Sequence, residues 1–148
     1  MLLCLLLTPG MAHAAPAADQ SQQIQQILSK IVASDAARGD RIEITLADGV
    51  LTWKFEAHSC FQAIYRATLS ELDLPKSALV SNPERRGDAW LKTPCRQGNC
   101  VSAEYGTHVW PAKPCNIPRN HSSDQRATFQ PPSFPRPLGE ELLQALRP

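Results

Sequence analysis

The stretch RIEITLADGVLTWKFE, residues 41–56, decides how this chain is read. Ile42, Ile44 and Leu46 alternate with polar residues, and after Asp48-Gly49 the alternation resumes at Leu51, Trp53 and Phe55. A period of two on either side of an Asp-Gly pair predicts a β-hairpin, because successive strand side chains point to opposite faces. Keeping the apolar residues of both strands on one face requires Leu46 opposite Leu51, Ile44 opposite Trp53 and Ile42 opposite Phe55, around a four-residue loop. The other face supplies an independent check. The same register sets Glu43 against Lys54, Thr45 against Thr52 and Arg41 against Glu56, the opposite-charge and hydroxyl pairs that favour antiparallel neighbours.

On the N-terminal side, residues 19–38 carry Ile24, Ile27, Leu28, Ile31 and Val32 at the spacing of a one-sided helix. Asp19 and Gln22 fit a capping box at its start and Gly39 fits its stop. The stripe is expected to pack on the protein's own core. On the C-terminal side, FQAIYRATL continues the sheet with Phe61, Ala63, Tyr65, Ala67 and Leu69 on one side. A turn-rich stretch follows, with one helical turn and a short strand near Leu79 and Val80. Strand text returns at AWLKTPC and CVSAEY.

From Gly106 the texture changes, since seven of the 13 prolines fall between residues 106 and 137 and proline cannot donate to a sheet ladder. This segment is expected to be extended and irregular. PLGEELLQALR, at the end, places Leu138, Leu142, Leu143 and Leu146 on one side and predicts a short helix. The fold expected is α+β, mainly antiparallel β, with one sheet of about five or six strands packed by an N-terminal and a short C-terminal helix.

The opening MLLCLLLTPGMAHA reads as a removed export signal over residues 1–14, ending in Ala12-His13-Ala14, the A-x-A pattern of a signal-peptidase site. Its apolar run is too short to span a bilayer. Because the first Lys or Arg is Lys30, the positive start of an ordinary signal is missing, so Met1 is expected to lie inside a longer signal. Residues 15–148 then form one exported domain, periplasmic or secreted, with no stable membrane span. Lys and Arg number 15 against 14 acids, for a net charge of +1, with the two signs interspersed. No basic footprint for nucleic acid is present.

Removing the signal removes Cys4 and leaves Cys60, Cys95, Cys100 and Cys115, an even number that reads as two disulfides in an exported chain. Four cysteines allow three pairings. If Cys95 and Cys100 face each other across a hairpin, its strands pair Thr93 with Ser102 and Trp90 with Tyr105, and Cys60 is left for Cys115. A zinc site is the rival, but no C-x-x-C knuckle is present. A thiol redox catalyst needs that same spacing to lower a thiol's pKa. No metal and no cofactor are expected.

Catalytic signals are weak. His58 beside Cys60 is not aimed at it on a strand, and Glu71 with Asp73 reads as turn chemistry before Pro75. The Arg-Gly-Asp triplets at 38–40 and 86–88 precede strands, where Gly-Asp makes a turn rather than an adhesion loop. The least ordinary set is Trp90, Tyr105, His108 and Trp110, expected to gather around the last hairpin and its exit as core or as a binding surface. The function expected is a non-enzymatic domain that binds a protein or a cell-envelope component, an envelope-enzyme inhibitor being one form. The alternatives are a small hydrolase using His108 or His58 with a carboxylate, and a structural piece of a larger exported protein.

Overall fold

The computed structural model describes residues 18–57, 60–110 and 115–147. The expected signal at 1–14 and His58 lie outside these residues. The element order is α1 (Ala18–Ala37), β1 (Arg41–Ala47), β2 (Val50–Glu56), β3 (Gln62–Thr68), two short 3-10 turns, β4 (Ala78–Ser81), β5 (Asp88–Pro94), β6 (Val101–Thr107), β7 (Asn120–Arg126), β8 (Thr128–Phe129), β9 (Phe134–Pro135) and α2 (Arg136–Leu146). All pairings are antiparallel, so the α+β reading with a helix near each end holds.

The hairpin of β1 and β2 has the register its side-chain pattern demands, Arg41 facing Glu56 through to Leu46 facing Leu51. Lys54 Nζ lies 2.7 Å from Glu43 Oε1 across it. The loop is shorter than the four residues expected, because Ala47 also pairs with Val50. Asp48 and Gly49 have φ of 51° and 75°, the doubly left-handed turn whose twist matches that of the strands.

Helix α1 begins at Ala18, so Asp19 lies within the first turn rather than at the cap. At its end Gly39 (φ 82°) donates to the Ala36 carbonyl and Asp40 N to the Asp35 carbonyl, the paired bonds of a Schellman stop. Ile24, Ile27, Leu28 and Ile31 are all buried.

Two sheets are present where one was expected. The first has the order β1-β2-β3-β6-β7; the second has β5 at its centre, flanked by β4 on one edge and by β8 and β9 on the other. The expected ladder between the strands around Cys95 and Cys100 does not form. Thr93 faces Phe129 rather than Ser102, and Trp90 faces Val80 rather than Tyr105. Each of these strands has a buried apolar side and is paired on both edges elsewhere, β5 with β4, β8 and β9 and β6 with β3 and β7, so the short connection turns a corner between sheets.

The core lies between the sheets and under the helices. Trp53 of β2 is fully buried, stacks on Phe134 at 5.5 Å between centroids and meets the edge of Phe129 at 6.4 Å, so one indole joins the sheets. Leu142, Ala145 and Leu146 of α2 join the same cluster.

Both expected disulfides are present, with Cα separations of 6.2 Å for Cys60–Cys115 and 5.7 Å for Cys95–Cys100. All four thiols that a zinc site would have used are thereby paired. The segment 106–137 is more ordered than its prolines implied. It contains the seven-residue strand β7 and the short β8 and β9, because its prolines fall outside β7.

Candidate functional site

The pairing of the five-stranded sheet sorts its side chains into rows. On the core face these run Ile42, Phe55, Ala63, Tyr105, Ser122, then Ile44, Trp53, Tyr65, Ala103, Asp124, then Leu46, Leu51, Ala67, Val101, Arg126. The apolar face therefore ends at β6, and β7 contributes polar side chains to it. Where it ends, aromatic rings come to the surface. Phe61 is 45% exposed and stacks on Tyr105 at 6.4 Å, while Tyr105 meets Tyr65 edge-on at 5.9 Å. Arg126 reaches back from β7, its guanidinium 5.0 Å from the Tyr105 ring and 5.9 Å from that of Tyr65. Its Nε donates to Asp124 Oδ1 at 3.2 Å. Burial first, and the neighbouring Tyr65 second, push the Tyr105 hydroxyl up to about 12, so this phenol stays neutral at physiological pH.

Trp110 lies on the opposite side of the sheet. Its backbone N–H donates to Gln62 Oε1 at 2.6 Å, and Gln62 Nε2 donates to Glu56 Oε2 at 2.6 Å. Arg41 and Lys54 stand 5.5 and 5.7 Å from its ring. The chain leaving β6 thus folds over the outer face and buries Gln62 and Glu56 there, close to the Cys60–Cys115 bridge. Gly106 permits the tight return: its φ is 139°, and a Cβ there would collide with the Asn120 carbonyl.

The four residues expected to gather do not. Tyr105 and Trp110 sit on opposite faces, and Trp90 lies half-buried in the second sheet, opposite the exposed Val80. His108 adopts φ 58° and its Nε2 contacts the Ile117 carbonyl at 2.8 Å, which locks the loop rather than aligning the ring with an acid. Sequence reasoning missed Phe61, Tyr65, Asp124 and Arg126 as members of a site. Phe61 was placed on a strand face, and β7 carries no apolar alternation to announce it.

The two Arg-Gly-Asp triplets converge. Arg38 makes a two-pronged contact with Asp88, 2.6 and 3.0 Å, and Arg85, the residue just before the second triplet, lies 3.1 Å from Asp40. Asp40 and Asp88 are buried, so neither triplet is displayed for adhesion. Beside them Asp35 is 3% exposed with Oδ1 unpartnered, and burial, opposed by Arg38 and reinforced by Asp40 and Asp88, raises its carboxyl to about 6. The neutral form is therefore favoured on folding. Its contribution is full below the unfolded value of 3.8 and is lost as pH rises through about 6. Asp35→Asn is expected to raise the unfolding free energy by about 1 to 3 kcal/mol near neutral pH and to change it little near pH 4. Urea titrations at the two pH values check this; an equal effect at both would refute the assignment.

Two shallow polar concavities also adjoin the Cys95–Cys100 corner, one of 280 Å³ lined by residues including Arg66, Glu71, Asn99 and Gln125, the other of 410 Å³ reaching Arg96. Among the described residues no cluster of His, Cys, Asp and Glu could hold a metal ion, and no helix is long and apolar enough to cross a membrane. Comparison with family models, curated proteins and solved structures finds no match.

Proposed function

We propose that this chain is a small exported, non-enzymatic domain that binds another protein or a cell-envelope component through the platform of Phe61, Tyr65, Tyr105 and Arg126. The carrying observation is the exposed Phe61 ring stacked on Tyr105, with Arg126 laid over the tyrosines. Tyrosine and arginine dominate binding hot spots, and a Phe side chain left in water beside them gains apolar burial when a partner covers it. Export is supported by the two disulfides, which persist in oxidising compartments. An inhibitor of an envelope enzyme is one form that such a domain takes.

The test is capture from envelope extract by the oxidised protein. Phe61→Ala with Tyr105→Ala is expected to lower recovery of the partner by about tenfold or more, the scale of one hot spot. Trp110→Ala, altering the opposite face, is expected to leave recovery within about twofold. Equal recovery with all three proteins would remove the platform from consideration.

A further inference from the structure

The five-stranded sheet has two edges, and they are treated differently. At β1, helix α1 packs against the strand and Gln25 Nε2 donates to the Leu46 carbonyl at 3.1 Å. At β7, β6 pairs with all seven residues on one side, and among the described residues no strand pairs with the other. Asn120 to Gln125 are all exposed. Natural edges are usually blunted by proline, by lysine or other charges, inward-pointing ones included, by a bulge or by a covering element, since a bare row of N–H and C=O groups templates another strand; β7 does carry two charges on the core face, Asp124 and Arg126, but they pair with each other. The sequence of β7, NHSSDQR, has neither proline nor lysine, and its ladder with β6 runs without a skipped residue.

We infer that β7 accepts an extended polypeptide as an added antiparallel strand, one reading acid, any, base, any, aromatic from its N-terminus. This rests on the platform being a contact surface, and deepens it by naming the partner's chemistry. The pattern follows from the core-face row ends, which along β7 are Ser122, Asp124 and Arg126. An antiparallel strand beside β7 meets Arg126 first, then Asp124, then Ser122. Opposite Arg126 an acid is complementary, since the guanidinium, laid back over Tyr105 and bonded to Asp124 through Nε, still leaves 39% of the side chain exposed. Opposite Asp124, itself 49% exposed, a base is complementary. Opposite Ser122 the side chain is small, so a large ring can reach across it to Tyr105 and extend the row that Phe61 and Tyr105 begin. Backbone bonds to the edge then supply affinity and these alternate side chains supply selection.

A second copy of this chain fits the edge less well. Self-pairing centred on Ser123 sets Asp124 against Ser122 and Arg126 against Asn120 and matches no opposite charges, while centring on Gln125 sets Asp124 against Arg126 twice but overlaps only residues 124–126 of β7, because Ala127 and Thr128 turn away to Cys95 and Pro94; neither brings a ring to Tyr105. An external segment is favoured for that reason.

The probe is a blocked synthetic peptide, Thr-Glu-Thr-Lys-Thr-Tyr-Thr, titrated into the oxidised protein while amide NMR signals of β7 are followed. Two N-methylated forms accompany it, one methylated at Glu, Lys and Tyr, the other at the intervening Thr residues. In an antiparallel strand alternate N–H groups point to opposite edges, so one form must lose its bonds to β7 and the other must keep them. The expected result is that one form binds about tenfold or more weakly and the other within about threefold of the parent, as loss of two or three hydrogen bonds implies. Asp124→Arg with Arg126→Asp is expected to reverse the preference between this peptide and one with Glu and Lys exchanged. No binding at about 1 mM peptide, or equal weakening by both methylations, overturns the inference. So does dimerisation of the protein alone with protection of the β7 amides, which assigns the edge to a second copy. If the Phe61 and Tyr105 variant fails to capture partners as above while the peptide does not bind, strand addition is wrong and the platform reading stands. If capture is unaffected by that variant, the platform reading itself has failed.

Discussion

Trp53→Ala is expected to lower the unfolding free energy by about 3 to 5 kcal/mol, the range for emptying a buried aromatic site. The effect is placed at the top of that range because the indole joins the two sheets: its ring meets Phe134 and Phe129, which come from opposite ends of the edge of β5. A void there leaves three elements without a shared contact, and backbone in paired strands cannot collapse to fill it. Trp53→Phe separates packing from polarity. Trp53 Nε1 is buried without a hydrogen-bond partner, so phenylalanine removes an unsatisfied donor while leaving a smaller void. Its cost is expected to be about half that of alanine or less. Urea unfolding of the two variants measures both numbers. A loss below about 1 kcal/mol for Trp53→Ala would mean that the sheets are not held together at this ring.

Removing the Cys60–Cys115 bridge comes next in size. The cross-link spans 55 residues, against 5 for Cys95–Cys100. Chain-entropy arguments put the two at about 4 and about 2 kcal/mol, in the order of the loops they close. Cys60→Ser with Cys115→Ser should also have a local signature. The chain between β6 and β7 is held down by the bridge, by the Trp110 N–H bond to Gln62 and by the Thr107 hydroxyl donating to the Pro118 carbonyl at 2.7 Å. Freed of the bridge, the Trp110 indole resonance is expected to shift towards that of a solvated ring while Trp53 signals stay in place. Equal loss from deleting either disulfide would contradict the ordering. An unmoved Trp110 would show that the hydrogen bonds alone suffice.

The readable and unreadable parts of this chain divide by the range of the forces involved. The β1–β2 register was legible because alternation and the Asp-Gly turn lie within one short window, and charge pairing on the second face repeated the answer. The disulfide pairing was also legible, although for a partly mistaken reason. Cys95 and Cys100 are close because five residues of chain turn a corner, not because a ladder brings them together. The candidate site was least legible. Only Tyr105 of the four residues singled out lies in the platform, since residues near in sequence at a strand exit can finish on opposite sheet faces, as Tyr105 and Trp110 do.

By itself, the sequence determined the elements with strong local periodicity: helix α1 with its Schellman stop, the first hairpin, the strand after it and the C-terminal helix. Each is encoded by which face of a short segment is apolar and by what terminates it. Tertiary structure alone decided that the strands divide into two sheets, that Arg38 of one Arg-Gly-Asp triplet pairs with Asp88 of the other, and that a fully polar segment becomes the edge strand β7. Those outcomes depend on which distant backbone a strand finds to pair with and how much apolar surface the choice buries. A strand such as β7, with no apolar side chain of its own, takes its order from the ladder it joins.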